Sequence, residues 1–496
     1  MNKHAKTLAA VLALIMLLSA TLLFASCQDD EVQEKPQNTE TADMDEVLPP
    51  LATKDLGNTE IRLLWPETHS DGHYLHNELA VVEAAGNILD DAVASRNYVV
   101  EANYNVIITA DTKFVSTIPS DLRTEILAGG SSYHAVASTI KFMMPLAQEG
   151  LLADFNELAY YSDDDPWWNH SLMQDFAIAN ARYYATGDII YSDDFYPYCT
   201  YVNTAVSSNF GITEDYFSLV KNKQWTLEKF HTMAADVAND LDGDANTYSE
   251  GEMDGALMNS NFYRAVYYSA GKGMVDFSKD GYPVWQMEVE RTQTILEKAL
   301  RTVWNDGACT DTGLLTNYHV DEELGRFNTN RALFLVEELI FSERISRSDN
   351  RADFKILPFP LYEEGGDYIS VLNDAVVLAI PTPAVLPNAD DVCLVLSAMS
   401  RESVNTLTPA FFETVLTSRY MQDPGSVEML EIVLDSTVAP DVATVQDWGG
   451  MMLGFKQLGE NNSTNFSSLY QTNIGVVMDK LEEYCVMLDK YYETHK

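Results

Sequence analysis

The stretch "EILAGGSSYHAVASTIKFMMPLAQEGLLADFNEL" (residues 125–158) changes its apolar spacing twice. After a helix end and a Gly-Gly turn, "YHAVAS" has the small and β-branched apolar residues of a buried strand. Helical spacing returns in "FMMPLAQEGLL". A strand between two helices is the repeating unit of proteins in which helices cover a mostly parallel sheet. This stretch therefore predicts an α/β fold.

Segments on both sides continue the alternation. "TEIRLLWP" (59–66) predicts the first strand, Leu75–Ala94 has helical spacing, and "YNVIIT" (104–109) predicts another strand. Further along, Thr226 is placed to cap a helix, and an apolar stripe over 476–493 predicts a C-terminal helix. The whole region after residue 58 therefore belongs to the α/β class.

Residues 1–26 have the composition of an export signal. A basic start precedes an apolar run over Leu8–Ala25, which ends in small residues. The sequence Ala25-Ser26-Cys27 resembles the lipobox of bacterial lipoproteins, where the signal is cut before a cysteine that receives a diacylglycerol. We expect Cys27 to be lipidated and to hold the protein at the extracellular face of the cell membrane. A retained membrane-spanning helix is the alternative.

Residues 27–58 are acidic and polar and contain no aromatic side chain. Such a segment buries too little apolar surface to fold on its own. We therefore predict a flexible linker between the lipid anchor and the folded body.

Charge and cysteine content limit the classes of function. The chain has 31 basic and 75 acidic residues, a net charge of −44. Such a surface repels phosphate backbones, which excludes nucleic acid as a partner. After Cys27 the four remaining cysteines are widely spaced, so no disulfide framework is expected. Cys393, in an apolar run, is predicted to be buried.

Several segments resemble, in the right order, the extracellular solute-binding proteins of bacterial ABC importers, in the sugar-type branch. Residues 125–158 resemble an early turn, strand and "G-x-L-x-x-hydrophobic" segment of that family. "YYATGDIIYSDDFYPYCTYVNTAV" (183–206) is similar to its hinge strand. Weaker likenesses are "QWTLEKF" (224–230), "GRFNTNRALFLVEELI" (325–340), "ADFKILPFP" (352–360) and "DPGSVEMLEIVLDS" (423–436).

The resemblance implies a two-lobed periplasmic-binding-protein-like fold of type II, each lobe a sheet flanked by helices, that closes on a ligand by hinge motion. It implies a binding protein rather than an enzyme, which captures a mono- or oligosaccharide and delivers it to the ABC permease subunits. One lobe is expected to comprise residues 59–190 and 336–382, and the other 191–335 and 383–496. Crossings between them are expected near 191–203, 332–340 and 380–384.

Sugars present hydroxyls and flat C–H faces, so their sites combine aromatic rings with carboxylates. The ligand is expected between the lobes, at the carboxyl ends of strands. For each candidate taken alone, packing or a solvated loop is the commoner role. The candidates, which follow predicted strands, lie on the hinge segment or precede a Gly pair, are Trp65, Glu67, Asp71, Tyr196, Tyr198, Glu337, Glu338, Asp374 and Trp448.

A histidine cluster supports an alternative function. Histidines three and four residues apart share one face of a helix and bind Zn²⁺ together with a carboxylate. A metal-capturing lipoprotein is therefore one alternative, and helix-surface histidines are the other. The residues concerned are His69, His73 and His76, close to Glu67 and Asp71.

An acidic segment has the spacing of a calcium loop. Asp240, Asp242, Asp244 and Asn246 alternate as at the start of an EF-hand. The sixth position is alanine and the twelfth is Gly251, which excludes a complete EF-hand. A partial Ca²⁺ loop or a solvated turn remains.

Signatures of common enzymes do not occur. The sequence has no G-x-x-x-x-G-K, H-E-x-x-H or G-x-S-x-G pattern. Its many carboxylates leave a secreted surface glycoside hydrolase as the other alternative, because an acid pair cannot be excluded by counting. The sequence favours a binding protein without a resident cofactor.

Overall fold

The computed structural model describes eleven ranges of the chain, and all structural statements below concern them. They are residues 48–67, 77–81, 87–241, 252–271, 273–278, 281–314, 320–348, 350–372, 375–382, 388–415 and 424–494.

The strands within these ranges are β1 (Thr59–Glu67), β2 (Val106–Phe114), β3 (Ala135–Thr139), β4 (Tyr198–Asn203), β5 (Asp254–Met258), β6 (Val275–Phe277), β7 (Pro283–Trp285), β8 (Cys309–Asp311), β9 (Ala332–Glu338), β10 (Phe354–Pro358), β11 (Ser370–Val371), β12 (Val376–Ala379) and β13 (Thr437–Val438).

The helices are α1 (Ile88–Tyr104), α2 (Ile118–Leu127), α3 (Ile140–Gln148), α4 (His170–Asp175), α5 (Ser192–Phe195), α6 (Thr204–Asn209), α7 (Tyr216–Lys221), α8 (Leu227–Ala235), α9 (Asn261–Ser269), α10 (Val289–Trp304), α11 (Val320–Asn328), α12 (Phe341–Arg347), α13 (Ala389–Ser403), α14 (Leu407–Val415), α15 (Pro424–Asp435), α16 (Val442–Val445), α17 (Met451–Glu460) and α18 (Phe466–Thr494). Short 3₁₀ helices cover Phe155–Glu157, Thr312–Leu314 and Trp448–Gly450.

Two mixed sheets form the centres of the molecule. The first has the strand order β12-β3-β1-β2, in which β1 is parallel to β2 and β3 while β12 is antiparallel. The second has the order β10-β4-β9-β5-β8, in which β4 is antiparallel to its neighbours β10 and β9 and the other four strands run in one direction. Two small two-stranded sheets pair β11 with β13 and β6 with β7.

Burial explains why these strands form where they do. Every residue of β3, β5 and β9 is buried, as expected for strands covered by helices on both faces. Helix α1 packs against α13 and α14 beside the first sheet. Helices α9, α10, α17 and α18 pack together beside the second. The α/β prediction is confirmed, including the N-cap at Thr226, whose side chain accepts a hydrogen bond from the Lys229 backbone.

The structure differs from three sequence predictions. The helix expected over Leu75–Ala94 forms later, at α1, because Asn87 caps it. Strand β10, which lies within the segment 336–382 assigned to the first lobe, pairs in the second sheet. The third crossing lies between β11 and β12 rather than at 380–384, because β12 already belongs to the first sheet.

Helices α13 and α14 also differ from the predicted grouping. They fall in the segment 383–496 that was assigned to the second lobe, yet both pack on α1 beside the first sheet. The domain boundaries themselves remain a proposal.

Residues 48–58 pack against the first lobe rather than forming free linker. The Arg401 Nε donates to the Pro49 carbonyl at 3.0 Å, and Lys54 forms an ion pair with Asp391. Both partners are on α13. The predicted linker over 27–58 is therefore too long at its C-terminal end, and its residues 27–47 lie outside the described ranges.

No helix within the described ranges is long and apolar enough to cross a bilayer.

Candidate functional site

Strand directions determine where the two sheets present their ends. The parallel strands β5, β8 and β9 all end at one edge of the second sheet. The antiparallel β4 begins at that edge, where Tyr198 pairs with Glu338. In the first sheet β12 begins beside the end of β3, with Val376 opposite Thr139.

The chain passes between the two sheets at these edges. Helix α5 leads directly into β4, and the connection from β11 leads into β12. The Ile340 amide also donates to the carbonyl of Phe195, so the exit from β9 lies beside the entry to β4. The carboxyl edges of the two sheets therefore meet where the chain crosses, which is where ligands bind in open α/β sheets.

A group of buried and half-buried polar side chains occupies this edge of the second sheet. Asn259 follows β5 and donates to the Glu337 carboxylate near the end of β9. Asp311 ends β8, Glu323 lies in the first turns of α11, and Arg344 is on α12. We call Asn259, Asp311, Glu323, Glu337 and Arg344 the edge cluster.

Burial dominates the electrostatics of the edge cluster. It raises the pKa of Glu323 to about 8, and the neighbouring Asp311 adds to the shift. Burial, followed by repulsion from Glu323 and Glu338, also raises the pKa of Glu337 well above its ordinary value. Arg344 acts in the opposite direction on both glutamates and is outweighed. Glu323 therefore carries a proton at neutral pH, and its carboxyl group can donate a hydrogen bond to an acceptor beside it.

Several atoms of the edge cluster are buried and have no hydrogen-bond partner among the described residues. They are both carboxyl oxygens of Glu323, the Asp311 Oδ2 and the two Nη atoms of Arg344. Glu337 and Thr312 lie beside Glu323 as weak hydrogen-bond partners that oppose the rise of its pKa. An unpaired buried polar group costs about 1–3 kcal/mol, so a polar molecule bound here would be strongly stabilised.

A second set of polar groups continues from the edge cluster. The Asn261 amide donates to Asn259 Oδ1 at 2.8 Å, and Lys456 donates to Asn261 Oδ1 at 2.5 Å. Burial lowers the pKa of Lys456 to about 8. Tyr198 lies near Glu337 and Arg264. Positively charged, negatively charged and neutral polar side chains thus lie together at the carboxyl edge of the second sheet.

The Tyr201 side chain holds the chain segment that follows β9. Its buried hydroxyl lies 2.9 Å from the Glu338 carbonyl and 2.8 Å from the Leu339 carbonyl, to which it donates. The same hydroxyl accepts from the Ser342 amide at 2.9 Å. This single side chain therefore links the end of β9 to the start of α12.

The Tyr201→Phe variant should lose about 2–3 kcal/mol of unfolding free energy, because several buried backbone groups lose their common partner. Urea denaturation measures the loss. Tyr216→Phe is the matched control, since its hydroxyl is near only Ser207 Oγ, at 2.8 Å, and it should cost about 1 kcal/mol. Equal losses in the two variants would show that Tyr201 has no special role at the crossing.

The predicted site residues of the first sheet lie near its carboxyl edge. Trp65 is inside β1 and only 1% exposed, and its buried Nε1 has no hydrogen-bond partner among the described residues. Glu67 ends β1, is half-buried, and accepts from the Val115 amide through its carbonyl. A ligand role for both residues remains a prediction.

The predicted residues of the hinge and second sheet fall in two places. Glu337, Glu338 and Tyr198 are buried together at the edge, and Tyr196, also buried, immediately precedes that entry to β4. Trp448 lies elsewhere, with its ring 5.8 Å from Tyr484 of α18. The structure thus brings three predicted residues together and separates Trp448 from them.

Trp448 is close to a contact between the lobes. Its Nε1 donates to Gln446 Oε1 at 2.9 Å, and Gln446 in turn donates to Gln148 of α3 at 3.0 Å. The residue that sequence analysis placed in a polar loop is therefore buried beside the C-terminal helix.

Several predicted residues lie outside the described ranges. They are Cys27, His69, Asp71, His73, His76, Asp242, Asp244, Asn246 and Asp374. Asp240 is described and exposed. Among the described residues, no group of histidine, cysteine and acidic side chains is arranged to hold a metal ion. The four described cysteines are unpaired, and Cys393 is buried as predicted.

Sequence reasoning missed four members of the edge cluster, namely Asn259, Asp311, Glu323 and Arg344. Asn259 and Asp311 follow short apolar runs, which is the signal that identified Glu337. Glu323 and Arg344 lie on polar helical segments that give no such signal. A cavity between α9 and α10, beside Tyr267 and Arg291, has a volume of about 10 Å³, which fits one water molecule and no sugar.

No family model matches the sequence, and no curated protein matches it. Solved structures do match its fold over most of its length. An ABC substrate-binding protein from Listeria monocytogenes, in complex with cycloalternan, is 15% identical with a TM-score of 0.57, covering 85% of this chain and 99% of its own.

Two further structures give the same result. A cyclic α-maltosyl-1,6-maltose-binding protein from Arthrobacter globiformis is 11% identical with a TM-score of 0.58, covering 86% of this chain and 100% of its own. The galacto-N-biose/lacto-N-biose I-binding protein of an ABC transporter from Bifidobacterium longum is 10% identical with a TM-score of 0.56, covering 87% and 98%.

These matches and the two sheets define a two-lobed α/β fold. The chain has the fold of the sugar-binding proteins of ABC transporters. The predicted fold is confirmed. All three matched structures are named as binding proteins.

Proposed function

We propose that this protein is the substrate-binding component of an ABC importer, which captures a carbohydrate between its two lobes and passes it to the permease. The observation that carries the proposal is the edge cluster. Its unpaired buried donors and acceptors lie where the carboxyl edges of the two sheets meet, on a fold that sugar-binding proteins share.

The residue types of the site suit a sugar. Carboxylates, an amide and a guanidinium on the second lobe supply hydrogen bonds to hydroxyls. On the first lobe the indole of Trp65 has an unused N–H and an apolar face. We propose contacts to the solute from both lobes, with Glu67, Asp71, Tyr196, Tyr198, Glu338, Asp374 and Trp448 as further candidates. Closure is then stabilised by contacts that only the closed form makes.

The proposed location follows from the N-terminal sequence. Lipidation of Cys27 would anchor the chain outside the cell membrane, and residues 28–47 would connect the anchor to the packed segment that begins at residue 48. Because that segment is bound to the first lobe, the anchor is attached to that lobe and the second is free to move. Treatment with a lipoprotein signal peptidase inhibitor should leave the signal uncleaved, as measured by intact mass.

A thermal-shift screen of the full chain in detergent tests the proposal. The panel contains maltotriose, cycloalternan and lacto-N-biose. A sugar present at a hundred times its Kd should stabilise the protein by about 2.7 kcal/mol, without consumption of the sugar. Absence of any shift across neutral mono- and oligosaccharides would contradict the proposal. Release of reducing ends would favour a glycoside hydrolase instead.

A further inference from the structure

Glu78 lies on the connection between β1 and α1, within the described residues 77–81, and is only 3% exposed. Its carboxylate accepts hydrogen bonds from the Tyr191 amide at 2.7 Å and the Ser192 amide at 3.2 Å. The Ser192 hydroxyl donates to the other carboxylate oxygen. These partners belong to residues 189–195, which we call the hinge entry because they lead into β4 and the second sheet. A side chain of the first lobe therefore holds the segment by which the chain leaves that lobe.

Arg96, on α1 and fully buried, holds the backbone on both sides of this contact. Its Nη2 donates to the carbonyls of Glu78 at 2.8 Å and Leu79 at 2.9 Å. Its Nη1 donates to the Ile189 carbonyl at 2.9 Å and to Ser403 Oγ of α13 at 3.4 Å. Burial lowers the pKa of Arg96, and the negative charge of Glu78 opposes that shift. Two buried side chains of opposite charge thus attach the start of the hinge entry to the first lobe.

Aromatic rings hold the far end of the hinge entry. The Phe411 ring of α14 stacks on Tyr191 with 5.8 Å between ring centroids, and meets Phe195 edge-on at 4.6 Å. Tyr191 and Phe195 are themselves 5.1 Å apart, so the three rings pack together in favourable geometries. Helix α14 packs on α1 beside the first sheet. The hinge entry is therefore fixed to the first lobe along its whole length.

The residues that follow the hinge entry belong to the second lobe. The Leu339 amide donates to the Pro197 carbonyl at 3.1 Å, and β4 begins at Tyr198. The crossing that leaves β9 passes beside the same point. A change in the angle between two rigid lobes is absorbed by the backbone dihedral angles of a few residues between them. On this crossing Tyr196 lies between the two fixed segments, so bending falls there.

We propose that Glu78 is a positioning residue that, together with Arg96, locks the hinge entry to the first lobe and thereby sets the angle between the lobes in the ligand-free protein. Bending is then left to Tyr196. Without the carboxylate, the hinge entry loses three hydrogen bonds, and the second lobe samples a wider range of angles. The inference goes beyond the proposed function, because it concerns the hinge and does not depend on the identity of the solute.

Double electron–electron resonance on the full chain tests this without any sugar. Spin labels at Leu127→Cys and Phe210→Cys, exposed positions on the first and second lobes, report the distance between the lobes. Cys27→Ser and Cys485→Ser leave native thiols at buried positions only. We expect Glu78→Ala to broaden the distance distribution or to shift its mean by more than about 2 Å, the size of a domain rearrangement.

Glu78→Gln is the conservative variant. Its amide oxygen can accept from both backbone amides while its NH₂ group donates to the Ser192 hydroxyl, so its distance distribution should stay close to that of the wild-type chain. Glu101→Ala is the matched control, because the Glu101 carboxylate accepts from the Ile108 amide at 2.7 Å within the first lobe. This control removes a similar contact away from the hinge and should leave the distance between the lobes unchanged.

Hydrogen exchange checks that the intended contacts are lost, since the Tyr191 and Ser192 amides should exchange faster in Glu78→Ala than in the wild-type chain. A wild-type distance distribution in this variant, or equal broadening in Glu101→Ala, would overturn the proposal. If Glu78→Ala does not fold, Ser192→Ala removes one of the three hydrogen bonds and should broaden the distribution less. An unchanged distribution in Ser192→Ala would then contradict the proposal. Because no sugar is present, failure of the sugar screen would leave these results standing.

Discussion

Glu323→Gln should be more stable than the wild-type chain at neutral pH and equally stable at acid pH. The folded-state pKa of Glu323 is raised to about 8 by burial, against about 4.3 in an unfolded chain. A carboxyl whose folded pKa is raised stabilises the fold fully below its unfolded pKa and loses that contribution as pH rises through the folded pKa. The wild-type chain therefore loses stability between about pH 4.5 and pH 8, and the glutamine variant avoids this loss.

The expected difference is large. From pH 5 to pH 7 the free-energy advantage of Glu323→Gln should grow from about 1 to about 4 kcal/mol, because each pH unit within the window contributes about 1.4 kcal/mol. Urea unfolding at pH 5, 6, 7 and 8 measures it. Asp311, whose pKa burial raises to about 6, should add a smaller loss over a lower range of pH in both chains.

Glu228→Gln, at an exposed position on α8, serves as the control. Its stability relative to the wild-type chain should not change between pH 5 and pH 8. A flat difference between Glu323→Gln and wild type across this range would contradict the assignment of a protonated Glu323. Buried groups that stay unpaired until a ligand binds lower the stability of the ligand-free protein. A destabilising binding site is therefore expected here.

Sequence patterning predicted the strands and helices well, because burial places apolar residues at the spacing of each local element. The run "YHAVAS" became β3 with every strand residue buried, and "ADFKILPFP" became β10. What the pattern could not predict was which sheet each strand joins. Strand β10 pairs with β4 through hydrogen bonds between distant backbone segments, and no local periodicity specifies that partner.

The site was predicted in part for the same reason. Glu337 and Tyr198 were identified because they border strands near the hinge. Glu323 and Arg344 reach the site only through the packing of α11 and α12, which depends on tertiary contacts. Trp448 was misplaced because a Gly pair suggested an open loop, whereas Gly449 and Gly450, with φ of 64° and 65°, form a tight turn into α17.

The ion pair between Arg326 and Asp254 should have the largest single effect on stability. Arg326 on α11 is 1% exposed and Asp254 at the start of β5 is 3% exposed. The Arg326 Nη1 lies 3.2 Å from Asp254 Oδ2, and the Thr310 hydroxyl donates to Asp254 Oδ1 at 2.6 Å. Burial raises the pKa of Asp254, and Arg326 opposes that shift. The Thr310 hydroxyl and the arginine thus both favour the ionised form of this buried carboxyl group.

Arg326→Met should therefore cost about 3–5 kcal/mol at pH 7, because it leaves Asp254 buried without its counter-charge. Adding Asp254→Asn should recover much of this loss, since no charge then remains buried at position 254, and the half-buried Glu322, which also pairs with Arg326 at 3.2 Å, accounts for the part not recovered. Lys229→Met is the control. It breaks an exposed pair with Glu214 at 3.0 Å and should cost at most about 1 kcal/mol. The expected coupling would be contradicted if the losses from Arg326→Met and from Asp254→Asn alone simply added up in the double variant. The two residues would then act independently. The pair would then not hold α11, and with it Glu323, against the second sheet.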